Sequence, residues 1–218
     1  TPAVELRRSA KLCAECGFQL CTHAIGDRAV REVLDAYETC GLSPADLRRA
    51  RFRVEHAQII DIGDVDRFRG LGVLPAMQPT HLTSDMPWAP ERLGDDRVVN
   101  AYNWMRFVEQ GVPVPFGSDF PVEHHDPLRG SYAAGTTRGH PSDADGAGPE
   151  AGLRPDQKLS ASQALRGFTA DAAYGAFLER DLGTVEVGKL GDYTILDRDL
   201  AKADPEALLS ARVLATVI

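Results

Sequence analysis

The sequence predicts an α/β fold with parallel strands, and two observations lead to that prediction. Short apolar, strand-like segments alternate with segments of helical periodicity along most of the chain. Regular alternation of this kind is typical of a parallel sheet whose strands are joined by crossover helices. In addition, polar residues follow several of the apolar segments, and folds of this class carry their functional groups at the carboxyl ends of their strands.

The composition excludes several classes of protein. The chain has 218 residues, a formal net charge of −8, 43% hydrophobic and 26% charged residues. The acidic balance gives no basic face for a nucleic acid, and no apolar run is long enough to span a membrane. The four cysteines and the lack of a secretion signal at the first residues predict free thiols in a cytoplasmic protein.

The cysteines leave two further readings open. Cys13 and Cys16 could form half of a zinc site that Cys21 and Cys40 complete, or a redox pair. A second close pair of ligands is missing, and the Cys-x-x-Cys pair falls late in a predicted helix. Since three of the cysteines fit apolar positions, we expect them to behave as small buried hydrophobic residues.

The first part of the chain predicts an opening helix followed by strand–helix units. Apolar residues at three- to four-residue spacing mark the helices, and Gly17 and Gly41 follow them as stop signals. Asp27 is suited to cap the second helix. In chain order, the predictions are a helix over 4–15, a strand over 18–22, a helix from Asp27 to Gly41, and a strand over 51–55 with Phe52 and Val54 on one side.

The pattern continues to about residue 172 and then changes. The predictions are a helix over 61–70, a strand over 73–77, a helix over 97–110, a strand over 112–116 and a helix over 160–172. Pro113 and Pro115 weaken that last strand, whereas Ser160 and Gln163 form a capping box. Residues 138–155 predict a long loop, either functional or a mobile insertion. Gly-punctuated short strands follow over 182–197 and 212–218.

Three polar residues stand where apolar strands turn toward helices: His23, His56 and Asp119. Two imidazoles and a carboxylate are a suitable ligand set for zinc and similar ions, and the carboxylate could act as a general base. Each residue alone has an ordinary structural explanation, as a hydrogen-bonded histidine or a turn-forming aspartate. Their three equivalent positions in the topology favour a shared metal site.

The chain resembles the amidohydrolase superfamily, in particular the YtcJ-like branch related to N-substituted formamide deformylases. The matching segments occur in the same order and run almost from end to end. They are 23–29 (HAIGDRA), 53–58 (RVEHAQ), 77–86 (MQPTHLTSDM), 116–123 (FGSDFPVE) and 182–192 (LGTVEVGKLGD).

The resemblance implies a (β/α)8 TIM barrel with a metal centre, flanked by a small β-sandwich. It places His23 after strand five and His56 after strand six as metal ligands, and Asp119 after strand eight as metal ligand and proton shuttle. Residues 1–180 would form the carboxyl-terminal half of the barrel and 181–218 part of the sandwich. The implied activity is hydrolysis of amide-type C–N bonds with one or two divalent ions, zinc being the default.

Weaker expectations concern the loops. His81 and Asp85 follow strand seven, and we expect them to contact substrate. The alternative for His81 is a purely structural role in the loop. Trp88 could line a pocket or pack beneath the loop. The run 123–126 (EHHD) resembles a metal cluster, but adjacent histidines in a loop rarely reach one ion. His140 is expected to be solvated.

The chain has no His-x-His pair, which the family carries after strand one, so we expect a fragment that holds strands five to eight. Two other functions stay open. The chain could be a non-catalytic half-barrel that buries its open edges against a second copy, as a homo-oligomer. It could also be a metal-dependent hydrolase of another bond type, such as a phosphotriester or a cyclic imide. The expected partner is a small-molecule substrate.

Overall fold

A three-stranded parallel sheet confirms the predicted α/β class. The computed structural model describes residues 2–143 and 148–218. Its elements in chain order are α1 (Ala3–Glu15), β1 (Cys21–Ala24), α2 (Asp27–Glu38), α3 (Pro44–Ala50), β2 (Arg53–His56), α4 (Ile62–Leu71), β3 (Leu74–Ala76), α5 (Pro79–Asp85), α6 (Ala89–Leu93), α7 (Asp95–Val98), α8 (Trp104–Glu109), α9 (Pro127–Thr136), a 3-10 helix (Pro155–Gln157), α10 (Ala161–Phe168), α11 (Ala170–Gly175), β4 (Tyr193–Leu196), α12 (Pro205–Leu208) and β5 (Val213–Val217).

The chain packs as two units. The first contains the chain up to Met77 together with Asp96–Val114, and the second contains Gln78–Asp95 together with Pro115–Ile218. The parallel sheet, in the order β1-β2-β3, belongs to the first unit. The antiparallel pair β4-β5 belongs to the second. The predicted domain boundary at residue 180 stays a prediction.

Helices α2 and α8 bury their apolar faces in the core of the first unit. The three- to four-residue spacing predicted for α2 is confirmed, since Val30, Val33, Leu34 and Tyr37 are all buried. Phe52 in front of β2 is fully buried, and Trp104 of α8 is too. Burying such a side chain contributes roughly 1.5–3 kcal/mol, so these residues fix where the sheet strands lie.

The two ends of α4 show why it spans ten residues. Asp61 caps the start, because its Oδ1 accepts a hydrogen bond of 2.9 Å from the Gly63 N–H. Gly72 ends the helix with a left-handed φ of +71°. A Cβ at this position would lie 2.9 Å from the Cα of Arg48, so both the conformation and the close approach require glycine.

The predicted helix over 97–110 is wrong in its middle. The chain forms α7 and α8 instead, and the residues between them pair with the segment after β2. Tyr102 donates its N–H to the Gln58 carbonyl at 2.6 Å, and Asn100 accepts from the Ile60 N–H at 3.0 Å. Tyr102 has a φ of +56°, which interrupts the helical conformation. A long-range backbone pairing therefore overrides the local helical pattern.

Two other sequence predictions need correction. Residues 112–116 do not form one of the strands of the described chain, because Pro113 and Pro115 supply no N–H for a ladder. The helix predicted over 160–172 is two helices, α10 and α11, divided at Thr169 with a ψ of −87°. The capping box of Ser160 and Gln163 is confirmed. Helices α3, α5, α6, α9 and α12 were not predicted.

The second unit contains a small apolar cluster beside the β4-β5 pair. Tyr132 of α9, Leu200 and Leu208 are buried together. The tail strand predicted over 212–218 is confirmed as β5, whereas the several short strands predicted over 182–197 reduce to one, β4. Asp197, directly after β4, accepts hydrogen bonds from Arg198 and from the backbone and side chain of Arg212. These bonds tie the end of one strand to the start of the other.

The cysteines and helices bear on two of the composition-based predictions. All four cysteines are free, but only Cys40 is buried, so the expected burial of three thiols is wrong. Cys16, directly after α1, and Cys21, the first residue of β1, are exposed instead. None of the helices in the described part of the chain has the length and hydrophobicity needed to cross a membrane.

Candidate functional site

The first unit brings together two of the predicted ligands, His23 and His56. Their ring centroids lie 4.5 Å apart with an interplanar angle of 73°. His56 is the last residue of β2, close to its predicted position, and its side chain is buried. His23 is exposed and lies within β1 rather than after it, because the strand starts three residues later than predicted.

The backbone explains why these two rings meet. Strands β1 and β2 are parallel neighbours, with Ala24 opposite His56. Beyond the strands, the Ala57 N–H donates to the Ala24 carbonyl at 3.0 Å, so the pairing continues past the sheet. His56 and Ala57 both have positive φ values, +74° and +46°. Non-glycine residues in this region carry strain, and such strain is concentrated at functional sites.

The second unit brings together His81 and Asp119. His81 Nε2 lies 3.8 Å from Asp119 Oδ2, and the imidazole is buried whereas 41% of the Asp119 side chain is exposed. The separation is longer than a hydrogen bond, and it leaves the carboxylate accessible. His81 comes from α5, a helix that the sequence did not predict. Helix α5 and the turn that carries Asp119 therefore lie close together within this unit.

A tight turn presents the Asp119 carboxylate. The Ser118 Oγ accepts a hydrogen bond from the Phe120 N–H at 3.3 Å, and the Asp119 carbonyl accepts one from the Val122 N–H at 2.9 Å. Asp119 has a φ of +56°. It shares this left-handed conformation with His56, so two of the three predicted ligands occupy strained backbone positions.

The donor chemistry of the two pairs suits a divalent metal ion. Neutral imidazole nitrogens and a carboxylate oxygen are the standard ligands of zinc, and each pair combines one buried and one exposed side chain. The residue types of each pair therefore fit the ion that the sequence predicts.

The remaining loop predictions have mixed outcomes. Asp85 ends α5 and is partly buried, and Trp88 is 44% exposed with Arg92 stacked over its ring. In the EHHD run, Asp126 caps α9 by accepting from the Leu128 N–H at 2.8 Å, and His124 stacks on His125 at 4.7 Å. These contacts support a structural role for the EHHD run rather than a metal cluster. Partly buried His140 accepts a hydrogen bond from Ser142 at its Nδ1.

Glu123, the first residue of the EHHD run, has a separate environment. Its Oε1 accepts a hydrogen bond of 2.6 Å from the Ser84 Oγ of α5. Burial raises the pKa of the Glu123 carboxyl more than the Ser84 hydrogen bond lowers it, and the charges of Asp85 and Asp143 raise it further. Sequence analysis missed Ser84, because its partner Glu123 is 39 residues away along the chain. It also missed Thr80, one helical turn before Ser84.

The whole chain matches the amidohydrolase family model, from residue 1 to 218. The chain is 34% identical to the protein LONG AFTER FAR-RED 3 of Arabidopsis thaliana, over 93% of the chain and 33% of the relative. It is 31% identical to YtcJ of Bacillus subtilis (strain 168), over 98% and 39%. It is 27% identical to the N-substituted formamide deformylase of Arthrobacter pascens, over 98% and 38%.

A solved structure shows the same fold. The crystal structure of an uncharacterized metal-dependent hydrolase from Pyrococcus horikoshii OT3 superimposes with a TM-score of 0.80 at 29% identity, covering 94% of this chain and 39% of that one. The chain belongs to the amidohydrolase family. It spans between a third and two fifths of the length of these relatives.

Proposed function

We propose that the chain contributes His23, His56 and Asp119 to the metal centre of a hydrolase that cleaves C–N bonds of the amide type. The observation that carries this proposal is the His23–His56 pair, with its rings 4.5 Å apart at the carboxyl ends of neighbouring parallel strands. Family membership supports the same assignment. The name of the Arthrobacter pascens relative supports the choice of a C–N bond.

Each residue has a defined role in this proposal. His23 and His56 hold a divalent ion, with zinc the default for this donor set, in a site with one or two ions. The bound ion supplies Lewis-acid polarisation of the carbonyl and a lowered pKa of the attacking water. Asp119 accepts the proton from that water and delivers it to the leaving nitrogen. His81, 3.8 Å from Asp119, faces the substrate together with Asp85.

The architecture extends the proposal. We assign residues 1–180 to strands five to eight of a (β/α)8 barrel and 181–218 to a small β-sandwich, as the family resemblance implies. Val185, Val187 and Leu214 are exposed apolar residues. Their exposure supports the proposal that another layer of the sandwich packs on them. The protein acts on a small-molecule substrate in the cytoplasm, which the free thiols support. A homo-oligomer stays a prediction.

The test is His56→Ala in the full-length protein. We expect turnover of N-substituted formamides to be abolished and the metal content per protein to fall well below that of the wild type, because a buried ligand has been removed. The matched control is His125→Ala, which also removes an imidazole but leaves the ligand set intact and keeps the metal. Full activity and full metal content in His56→Ala would refute the ligand assignment.

A further inference from the structure

A polar cavity of about 300 Å³ lies in the second unit, between α5, the loop after Asp119 and α9. It has the size of a small ligand-binding pocket, but its lining is unusual, because almost every residue is polar or charged. The lining residues that matter here are Thr80, Ser84, Glu123, His124, Arg129 and Asp143. None of them belongs to the proposed ligand set.

Thr80, which lines the cavity, carries a buried hydroxyl. Thr80 is 7% exposed, and within the described residues its Oγ1 has no hydrogen-bond partner. Neighbouring hydroxyls are used differently, since Thr83 donates to the Thr80 carbonyl at 2.7 Å. A buried hydroxyl without a partner costs about 1–3 kcal/mol, which a ligand donor at this position would recover.

The charges lining the cavity select the sign of the ligand. Arg129 is paired with Asp143, so these two charges offset each other. Glu123 accepts a hydrogen bond from the neutral Ser84 hydroxyl. The charge of Arg129 also lowers the pKa of Glu123, but the charges of Asp85 and Asp143 raise it, so the carboxylates around this position outnumber the guanidinium. Burial destabilises the charged form of this group, and a bound cation would relieve that cost. The cavity therefore favours a cation that can donate hydrogen bonds.

A second cavity in the same unit shares part of its lining with the first. It has a volume of about 170 Å³, shares Thr80 and His124 with the first, and is also lined by Gly117 and Ser118. These two residues directly precede Asp119 in the turn that presents its carboxylate. The cavity that contains Glu123 thus shares part of its lining with a cavity that borders the segment of the proposed base.

We propose that this cavity is a substrate subsite for a primary ammonium group, which the Glu123 carboxylate and the Thr80 hydroxyl bind as hydrogen-bond acceptors. The substrate is accordingly an amide that carries an aliphatic amine near its scissile bond. The subsite deepens the proposed hydrolase function and rests on it for the identity of that bond. Ser84 is a positioning residue, because it acts through Glu123.

The experiment compares three probes of nearly equal size on the full-length protein: n-propylammonium, n-propanol and propionate. Ligand-observed saturation-transfer NMR gives the dissociation constant of each. We expect n-propylammonium to bind at least tenfold more tightly than n-propanol, and propionate not to bind. Propionate binding as tightly as n-propylammonium would overturn the proposal, because Arg129 would then govern the cavity.

Single substitutions test where n-propylammonium binds. Glu123→Gln should weaken n-propylammonium binding about tenfold, which corresponds to about 1.4 kcal/mol. Thr80→Val, which keeps the shape of the side chain, should weaken it about threefold. The control Glu91→Gln removes the same charge from exposed α6, outside the cavity, and should change nothing. Unchanged binding in a folded Glu123→Gln protein, checked by its circular dichroism spectrum, would overturn the proposal.

Metal analysis of the same samples separates the two proposals. A protein that holds its metal but does not discriminate among the three probes refutes the ammonium subsite and leaves the hydrolase function standing. A protein that binds n-propylammonium in a Glu123-dependent way but holds no metal supports the subsite and refutes the metal-centre assignment. The probes need no turnover, so the binding result does not depend on finding the substrate.

Discussion

The two units position their polar pairs in different ways. In the first, His23 and His56 belong to neighbouring parallel strands, and the hydrogen-bond ladder continues one residue past the sheet to hold them. In the second, His81 belongs to a seven-residue helix and Asp119 to a turn. A ladder fixes both residues through the core, whereas a short helix and a turn depend on a few local contacts. We therefore expect the proposed ligand pair of the first unit to be held more firmly than the proposed base and substrate contact of the second.

The largest effect should come from Asp119→Asn, which tests the second pair as His56→Ala tests the first. The amide has the same shape but cannot accept the proton, so kcat should fall by about 10²–10⁴-fold in the full-length protein. Metal content should fall less than in His56→Ala, because an amide oxygen can still serve as a weak ligand. Steady-state kinetics with metal analysis measure both. An Asp119→Asn protein with wild-type kcat would remove Asp119 from the mechanism.

Core truncations compare the stability of the two units. Trp104→Ala in the first unit should lower the free energy of unfolding by about 3–5 kcal/mol, since this large side chain is fully buried. Leu208→Ala in the second should cost about 2 kcal/mol, near the lower end for such a change, because its cluster is small and bordered by partly exposed residues. Urea unfolding followed by circular dichroism measures both values. Equal losses would show that the second core is as extensive as the first.

Helix caps should have smaller and similar effects in the two units. Asp61→Ala removes the bond to the Gly63 N–H at the start of α4, and Ser160→Ala removes the bond to the Gln163 N–H at the start of α10. Each should cost about 1 kcal/mol of unfolding free energy. Asp61→Asn keeps the acceptor oxygen and should cost less than Asp61→Ala in the same urea experiment. An Asn variant as unstable as the Ala variant would assign the effect to charge rather than to the hydrogen bond.

The smallest effect concerns pH and the β4-β5 pair. The hydrogen bonds from Arg198 and the Arg212 backbone hold the pKa of the Asp197 carboxyl well below its usual range. Because the folded pKa is lowered, Asp197 stabilises the fold above the unfolded pKa of about 3.9, and this contribution is lost as the pH falls toward the folded value. Urea unfolding at pH 7 and pH 3 should therefore show a smaller pH-dependent loss in Asp197→Asn than in the wild type. Asp199→Asn, two residues along, is the control.

The sequence predicted elements where local pattern and packing agree. Helix α2 and strand β2 have simple periodicities, and their predicted buried residues are buried. The helix over 97–110 could not be predicted correctly, because the hydrogen bond from Tyr102 to Gln58 joins residues 44 positions apart. Contacts between residues far apart in the sequence also limit the prediction of the candidate site. Motifs at strand ends marked His23, His56 and Asp119, whereas the bond between Ser84 and Glu123 has no local signal.

The surroundings of Gly72 restrict which residues can replace it during evolution. Its left-handed backbone and the 2.9 Å approach to the Arg48 Cα exclude every side chain, since relief would require moving the backbone of a neighbouring helix. Gly17 has a similar φ of +76°, but nothing lies within 4 Å of its would-be Cβ. Among natural variants of this chain, asparagine should therefore replace glycine at position 17, while position 72 should keep glycine.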